Sequence, residues 1–269
     1  MILSKGISVC FVIKNGMING YPFWESLTSS LPFANEIVIG EGYSTDGTYE
    51  AILKFREIHG KKVKIFRCDW DKYSSEGGNI IAKVSHEAMS HCKMTWIYYL
   101  QADEIIHPLN VPFIRRVVNS EYNSVSFLFH HFSRSWKPMS ASAGGYNCAI
   151  RMVRVKPFVT LIGDGWTFGG EIHPILGPNG IPKPIYHFSW VFPKNIDQKS
   201  VEHGKIYPDI ACYQQTAAEG KKNIINGYVE KKGLPIPEDY NDYPDIMKRL
   251  LGAFEYTLPP EIFGENTKL

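Results

Sequence analysis

Residues 36–59 of the 269-residue chain read EIVIGEGYSTDGTYEAILKFREIH, and this stretch predicts a strand, a polar loop and a helix in direct succession. Residues 36–40 are mostly apolar and β-branched, which is typical of a strand buried on both faces of a parallel sheet. Over residues 48–59 the apolar side chains recur at three- and four-residue spacing as far as Gly60, which predicts an amphipathic helix. The loop between them, residues 41–47, carries carboxylates and hydroxyls.

The same alternation extends to both sides of this stretch. The pattern predicts further strands and helices, with strands over residues 7–13, 63–66 and 96–100, and helices over residues 21–31 and 79–91. Strands that alternate with helices at this spacing predict an α/β fold with a mostly parallel, doubly wound sheet and helices on both faces. Ligands of such sheets bind beyond the carboxyl ends of the strands.

Beyond Pro108 the pattern changes to strands separated by longer loops. We expect strands over residues 124–132, 149–155 and 185–190, and a Gly-, Ser- and aromatic-rich loop that contains Trp136 and Tyr146. From residue 197 onward, helical stretches and Pro-rich turns lead to a predicted final helix over 245–256. The predicted organisation is one domain over 1–195, with halves 1–108 and 109–195, and a mainly helical C-terminal extension over 196–269.

Composition excludes several classes of protein. The 29 basic and 27 acidic residues give a net charge of +2, which provides no general attraction to nucleic acid or anionic lipid. No run approaches the roughly 20 apolar residues of a membrane helix, so we expect no transmembrane segment and a cytoplasmic protein. Five scattered cysteines without a C-x-x-C pair are typical of reduced, buried thiols.

Two polar loops follow predicted buried strands. In the first, Ser44, Thr45 and Asp46 can cap the next helix, and Glu41 can also accept hydrogen bonds from a ligand in the crevice. The second loop, residues 101–104, places Asp103 beside Glu104 just beyond a strand. Such carboxylates occur in solvated turns, but they can also hold Mg²⁺ or Mn²⁺ against a phosphorylated ligand.

Together the two loops resemble the family 2 glycosyltransferases of the GT-A fold, and most closely the bacterial lipopolysaccharide-core type. That family reads strand, Asp-Ser-x-Ser-Thr-Asp-Gly-Thr, helix, and later Trp-x-x-x-Leu-Asp-Ala-Asp-Glu. The matching stretches here are residues 40–50 and 96–104. The resemblance covers residues 7–108, is thin through the middle of the chain, and returns at 169–190.

The resemblance implies roles for individual residues. In the family the leading Asp of the first loop contacts the base or ribose, and the Asp-x-Asp pair binds the ribose and the metal–diphosphate. These positions are Glu41 and Gln101 for the donor nucleotide and Asp103 for Mn²⁺ or Mg²⁺, with Asp46 supporting the first loop. Glu41 replaces Asp and keeps its charge, whereas Gln101 replaces Asp and removes one.

Cations near the two loops are candidates for neutralising a diphosphate by charge-assisted hydrogen bonds. We expect Lys14, which follows the first predicted strand, to contact the donor in this way. Arg134 and Arg151 are weaker candidates for the same role, because surface cations are common.

Two later segments are similar to the family's His-Glu motif and to its Leu-Leu-His-Tyr strand. They are Gly169-Gly170-Glu171-Ile172-His173-Pro174 and Ile185-Tyr186-His187-Phe188. The resemblance implies that Glu171 is the general base, with Asp164 in reserve, and that His187 is a metal or diphosphate ligand. A base that deprotonates the acceptor during one-step displacement leads to inversion.

The implied activity is transfer of a hexose from a nucleotide diphosphate sugar, with a UDP-sugar as first choice, to a glycan, a lipid-linked or another hydroxyl acceptor held by residues 109–195. An inactive carbohydrate- or nucleotide-binding protein is an alternative, because Gln101 and the order of Glu171 and His173 depart from the pattern. A sugar-nucleotide nucleotidyltransferase is disfavoured, since only Lys14-Asn15-Gly16 stands where those enzymes carry a long phosphate loop.

Overall fold

The computed structural model describes residues 3–73, 79–133, 148–165, 167–170, 172, 175–192, 199, 201, 243–251, 253 and 256–264. The strands are β1 Ser4–Ile13, β2 Glu36–Glu41, β3 Val63–Arg67, β4 Met94–Leu100, β5 Glu104–Ile106, β6 Ser124–Ser133, β7 Cys148–Arg154, β8 Thr160–Ile162, β9 Thr167–Gly169, β10 Ile175–Leu176 and β11 Ile185–Trp190. The helices are α1 Phe23–Ser30, α2 Thr48–His59, α3 Asn79–Ser90, α4 Val111–Val117, α5 Asp245–Lys248 and α6 Pro260–Phe263.

The main sheet has the strand order β3-β2-β1-β4-β7-β6-β11-β5, with β10 beside β6. Strands β3, β2, β1 and β4 run parallel to one another, as do β11 and β6. Strand β7 is antiparallel to β4 and β6, and β5 is antiparallel to β11. The predicted α/β fold with a mostly parallel sheet is therefore confirmed.

Two apolar layers cover the sheet, and neighbouring residues of a strand contribute to opposite layers. Val9 and Phe11 of β1 pack in one layer, whereas Cys10 and Val12 pack in the other. The first layer contains buried residues of α1, α2 and α4, and the second contains those of α3 and the β8–β9 hairpin. Helices on both faces explain why the strands read as continuous apolar runs.

Several short elements differ from the predictions. Strands β5 and β10, the β8–β9 hairpin and helix α4 were not predicted, because two- and three-residue strands and a seven-residue helix carry too little periodicity. The predicted helix over 245–256 is wrong in its length, since α5 ends at Lys248 and Tyr256 lies outside any helix. Gly252 lies within the predicted span, and glycine is unfavourable in a helix interior.

Parts of the second half lie outside the described residues. They include the aromatic-rich loop with Arg134, Trp136 and Tyr146, and residues 202–242 of the predicted extension. Within the described ranges, no helix has the length and apolar character that crossing a bilayer requires.

The end of the chain packs against α1. The Tyr256 hydroxyl lies 3.1 Å from Glu25 Oε2, and Arg249 forms an ion pair with the same carboxylate. The Tyr256 ring also contacts Phe23, at 5.7 Å between centroids. Burial raises the pKa of Glu25 to about 7, although the charge of Arg249 lowers it in part.

This buried carboxyl gives folding a distinct pH dependence. Because the pKa of Glu25 is raised from 4.5 to about 7 on folding, folding takes up a proton, and its contribution to stability is lost as pH rises through that window. The unfolding free energy of the wild type should fall between pH 5 and pH 8. In Glu25→Gln we expect this decrease to be smaller by about 3 kcal/mol. Urea denaturation at pH 5 and at pH 8 measures the unfolding free energy of each protein.

The exposed Glu121 offers a matched control, since Glu121→Gln removes the same charge without a buried site. A Glu25→Gln variant with the same pH slope as wild type and Glu121→Gln would show that Glu25 titrates normally.

Candidate functional site

The ends of four parallel strands bring the polar loops to one edge of the sheet. Ile13 pairs with Glu41, and Glu41 pairs with Arg67, at the ends of β1, β2 and β3. On the other side of β1, Phe11 pairs with Leu100, directly before Gln101. Because neighbouring strands are about 5 Å apart, the ends of β2 and β4 flank β1 at a separation of about 10 Å.

Glu41 organises the first loop from inside. Its fully buried carboxylate accepts hydrogen bonds from the backbone N–H groups of Tyr43, at 3.1 Å, and Ser44, at 2.8 Å. Arg67 Nε lies 2.8 Å from Oε2 as an ion pair. Tyr43 adopts a left-handed backbone with φ of 57°, so the carboxylate stabilises a turn that a non-glycine residue rarely forms.

A second set of hydrogen bonds joins this loop to the one after β1. Asp46 accepts from the N–H of Ile18, at 2.8 Å, and from that of Thr48 at the start of α2, at 3.1 Å. Asn15 N–H donates to Ser44 Oγ, at 2.8 Å, and Asn15 Oδ1 accepts from Thr45 N–H, at 3.0 Å. Asp46 therefore ties the first loop to the loop after β1 and to the start of α2.

Close backbone approach explains Gly42 in the same loop. A Cβ atom there would lie 2.7 Å from Lys14 Cβ and 2.8 Å from Trp70 Nε1. Any side chain at position 42 would push the two loops apart, so glycine is the residue that permits their contact.

Two cations stand at this edge. Lys14 Nζ lies 3.2 Å from the exposed carboxylate of Asp71. The Arg67 guanidinium lies between two tyrosine rings, 4.2 Å from the centroid of Tyr43 and 4.0 Å from that of Tyr49. Tyr43 is 53% exposed, so the first loop presents an aromatic face backed by a cation.

Gln101 is held by both ends of its amide. Its Nε2 donates to the Asp164 carbonyl, at 2.9 Å, and its Oε1 accepts from Arg151, at 3.4 Å. Its backbone carbonyl accepts from Ser26 Oγ in α1, at 2.9 Å. Asp164 belongs to the turn of the β8–β9 hairpin, so Gln101 fastens that turn over the end of β4.

A fully buried ion pair lies beneath these groups. Arg151 Nε lies 3.0 Å from each oxygen of Glu104, and a terminal nitrogen lies 2.6 Å from Oε1. The other terminal nitrogen donates to the Gly165 carbonyl, at 3.1 Å. The sequence made Arg151 a candidate for contact with a diphosphate. In the structure its guanidinium instead binds Glu104 and the hairpin turn. Such a bidentate pair fixes orientation as well as charge.

Asp103 is surrounded by cationic and polar groups from the second half of the chain. His187 Nε2 lies 3.5 Å and Lys199 Nζ 3.9 Å from Asp103 Oδ2. Burial alone would raise the pKa of Asp103, but the charge of His187, its hydrogen bond and the charge of Lys199 hold that pKa well below its usual range. The carboxylate is therefore ionised at neutral pH. Burial lowers the pKa of Lys199 to about 8, against the pull of Asp103.

The register between β6 and β11 brings two histidines together. His187 pairs with His131 across these parallel strands, and their Nδ1 atoms lie 2.7 Å apart. One ring nitrogen must donate and the other accept at that distance.

The divalent cation implied by the resemblance fits these side chains poorly. Mn²⁺ and Mg²⁺ favour oxygen ligands, and Gln101 offers a neutral amide already bound at both ends. Asp103 and His187 are close enough to share a cation, but the ammonium of Lys199 approaches the same carboxylate oxygen. Within the described ranges, no three His, Cys, Asp or Glu side chains form a metal-binding group.

The predicted residues thus fall into three groups. Glu41 and Asp46 organise the first loop, Gln101 and Asp164 meet beside β4, and Asp103 and His187 meet beside β11. Glu171 and His173 lie outside the described residues. Sequence reasoning missed the roles of three further residues, which are Arg67, His131 and Lys199. Arg67 could have been found as the residue directly after a predicted strand, whereas the other two depend on contacts between distant segments.

Comparisons with known proteins give distant likenesses. No family model and no curated protein matches the chain. S. aureus TarS 1–349 in complex with UDP is 15% identical over 82% of this chain and 72% of that one, with a TM-score of 0.43. Mannosyltransferase PcManGT from Pyrobaculum calidifontis, in complex with GDP-Man and Mn²⁺, is 17% identical over 46% of this chain and 36% of that one, with a TM-score of 0.37. These identities and TM-scores are too low to assign a function to this chain.

Breaking the buried pair tests its importance for the fold. We expect Arg151→Met to lower the free energy of unfolding by about 3–5 kcal/mol, because Glu104 is left buried without its partner. The double variant with Glu104→Gln should lose much less than the sum of the two single losses. Denaturant unfolding of the four proteins measures this coupling.

Arg116→Met, at an exposed position of α4, is the control for loss of an arginine. An Arg151→Met protein as stable as this control would contradict the role given to the pair.

Proposed function

We propose that this chain is an inverting glycosyltransferase that uses a nucleoside diphosphate sugar as donor. The observation that carries the proposal is the row of polar side chains at the carboxyl ends of β2, β1 and β4, with the ionised Asp103 at one end. Open α/β sheets bind ligands at such edges. The separation of about 10 Å between the ends of β2 and β4 suits a nucleoside at one loop and a diphosphate at the other.

The first loop has the properties of a nucleoside site. The exposed ring of Tyr43 offers a face on which a base can stack, and Arg67 behind it strengthens such stacking. Glu41 supports this arrangement from within rather than through an exposed carboxylate. In this proposal the base lies against Tyr43, and a UDP-sugar remains the first choice of donor.

The second loop has the properties of a diphosphate and sugar site. Asp103 can accept hydrogen bonds from a ribose or sugar hydroxyl, and Lys14 and Lys199 supply positive charge at the two sides of β1. Hydrogen bonds to charged groups are stronger than those between neutral groups. No step of the proposed reaction depends on a divalent cation.

The proposed reaction is a single displacement at the anomeric carbon. The acceptor oxygen attacks that carbon and forms the new C–O bond, while the bond to the β-phosphate oxygen breaks and its electron pair leaves with the nucleoside diphosphate. A carboxylate takes the acceptor proton, and attack from the opposite face inverts the configuration. We assign the proton transfer to Glu171, with Asp164 in the hairpin turn as the alternative.

The acceptor in this proposal is a glycan or a lipid-linked hydroxyl, and the transferred group is a hexose. A binding protein without turnover is the competing function, because Gln101 replaces a carboxylate of the family pattern. The two functions differ in whether the donor is consumed.

Nucleotide binding is the first expected result. A thermal-shift screen with UDP, GDP, CDP, dTDP and their sugars should find one base that stabilises the protein, by about 2.7 kcal/mol at a hundred times its dissociation constant. Asp103→Asn should lose most of the stabilisation by the corresponding sugar nucleotide. Asp245→Asn, at a 93% exposed side chain, is the matched control and should keep it. A wild-type protein that no nucleotide stabilises would contradict the proposed function.

The general base is tested by a pair of conservative variants. We expect Glu171→Gln to lower kcat for sugar transfer by about 10²- to 10⁴-fold without weakening donor binding. Asp164→Asn keeps the backbone carbonyl that Gln101 contacts and should retain most of the activity. The reverse result would move the role to Asp164, and full activity in both variants would rule out both assignments.

A further inference from the structure

A histidine of helix α3 contacts the backbone of the β8–β9 hairpin. The N–H of Leu161 in β8 donates to His86 Nε2 at 2.7 Å. In the turn that follows, the Gly163 carbonyl accepts from the N–H of Ala82, in the first turn of α3, at 3.2 Å. A two-stranded hairpin is at best marginally stable alone. The β8–β9 hairpin, which forms a sheet of its own, therefore depends on the elements that it packs against.

The turn of the same hairpin reaches the candidate site. The Asp164 carbonyl accepts from Gln101, at 2.9 Å, and the Gly165 carbonyl accepts from Arg151, at 3.1 Å. Gly165 adopts φ of 87°, and a Cβ atom there would lie 2.5 Å from the Tyr99 hydroxyl. The turn thus lies directly against the end of β4. Any displacement of β8 from α3 acts on the backbone that Gln101 and Arg151 bind.

His86 can make its contact with Leu161 in one charge state only. A backbone N–H can only donate, so His86 Nε2 must be the ring nitrogen without a proton. An imidazolium carries a proton on both nitrogens, so it cannot accept from the Leu161 N–H, and it places a positive charge against that donor. Burial lowers the pKa of His86 from its ordinary value of 6.5, in agreement with a neutral ring.

The charged and titratable groups near His86 leave burial as the cause of this lower pKa. On α3, Lys83 is exposed, and the Glu87 carboxylate accepts hydrogen bonds from two side chains of the segment between β3 and α3. A hydrogen bond to another thiol, together with burial, raises the pKa of Cys10 in β1, so this group is neutral. Strand β2 contributes Val38 to the same apolar layer, and the three residues of β8 are Thr, Leu and Ile.

We propose that His86 is a positioning residue of the candidate site: its neutral ring holds the β8–β9 hairpin docked on α3, and its protonation releases the hairpin. The consequence for donor binding rests on the function proposed above, whereas the docking is a property of the fold. Because the pKa of His86 is lowered in the docked state, the stabilisation by this contact is fully present above about pH 6.5 and is lost as pH falls through the pKa of the docked form.

Hydrogen–deuterium exchange of the Leu161 amide, followed by NMR between pH 4.5 and pH 8, tests the docking without any ligand. After correction for the intrinsic exchange rate, opening of the hairpin in the wild type should increase by up to about tenfold for each pH unit below 6.5, since release takes up one proton. The same samples report the titration of His86 through its ring nitrogen shifts, and the increase in opening should level off below the midpoint of that titration.

Two variants separate titration from packing. The amide oxygen of His86→Gln can accept the same hydrogen bond and does not titrate, so corrected exchange of Leu161 should be independent of pH. His86→Leu should exchange about 10- to 100-fold faster than the wild type at pH 7.5, the size of a lost hydrogen bond that leaves a buried donor unsatisfied. His91→Gln, at an exposed histidine directly after α3, is the matched control and should follow the wild type.

Two results would overturn the proposal. One is the same pH dependence of Leu161 exchange in the wild type and in His86→Gln. The other is exchange in His86→Leu as slow as in the wild type at pH 7.5.

A further measurement connects the docked hairpin to the site. UDP, or whichever of GDP, CDP and dTDP stabilises the wild type, should slow Leu161 exchange at pH 6 by about 100-fold at a hundred times its dissociation constant if it binds the docked form alone. Exchange that a saturating nucleotide leaves unchanged would overturn the positioning role and leave the proposed function intact. Failure of every nucleotide to bind would instead remove the proposed function, and with it the positioning role, while the exchange of the free protein still decides the docking.

Discussion

The buried ion pair between Glu104 and Arg151 is the interaction on which the site depends. Glu104 begins β5, at the far edge of the sheet, and Arg151 lies in β7, near its centre. Because neither charge reaches water, each requires the other, and removing one would leave an uncompensated buried charge. The same guanidinium contacts Gln101 and the Gly165 carbonyl. One pair thereby fixes the loop after β4 and the turn of the β8–β9 hairpin relative to the sheet.

Strands β1 to β4 and the later segments of the chain contribute different chemistry to this edge of the sheet. Strands β2 and β4 end in the loops that hold Glu41, Asp46 and Gln101. Hydrogen bonds from backbone N–H groups to side chains join the loop after β1 to the loop after β2. Later segments add His187 from β11 and the Lys199 ammonium, and the N–H of Phe188 donates to the Asp103 carbonyl at 2.8 Å. Asp103 is thus held by its backbone as well as by the charges around it. A rigid carboxylate suits a site that must orient a ligand.

The parts of this protein that sequence could predict are those with local signals. The parallel strands and helices α1 to α3 were predicted because burial on both faces produces apolar runs and amphipathic periods. The polar residues that follow each apolar run predicted where the strands end and the loops begin. Lys199 and His131 could not be assigned roles, since their contacts with Asp103 and His187 join distant parts of the chain. The packing of Tyr256 on α1 is likewise a long-range contact that no local pattern encodes.

Gln101 has a structural role beside the end of β4. Its amide donates to the Asp164 carbonyl through Nε2 and accepts from Arg151 through Oε1. An aspartate at this position has no donor for that carbonyl, and it would add a second carboxylate near an arginine that Glu104 already neutralises. The amide therefore stabilises the position of the β8–β9 hairpin at the end of β4, because it donates a hydrogen bond that a carboxylate cannot donate. Because the amide is neutral, Gln101 adds no negative charge beside Asp103.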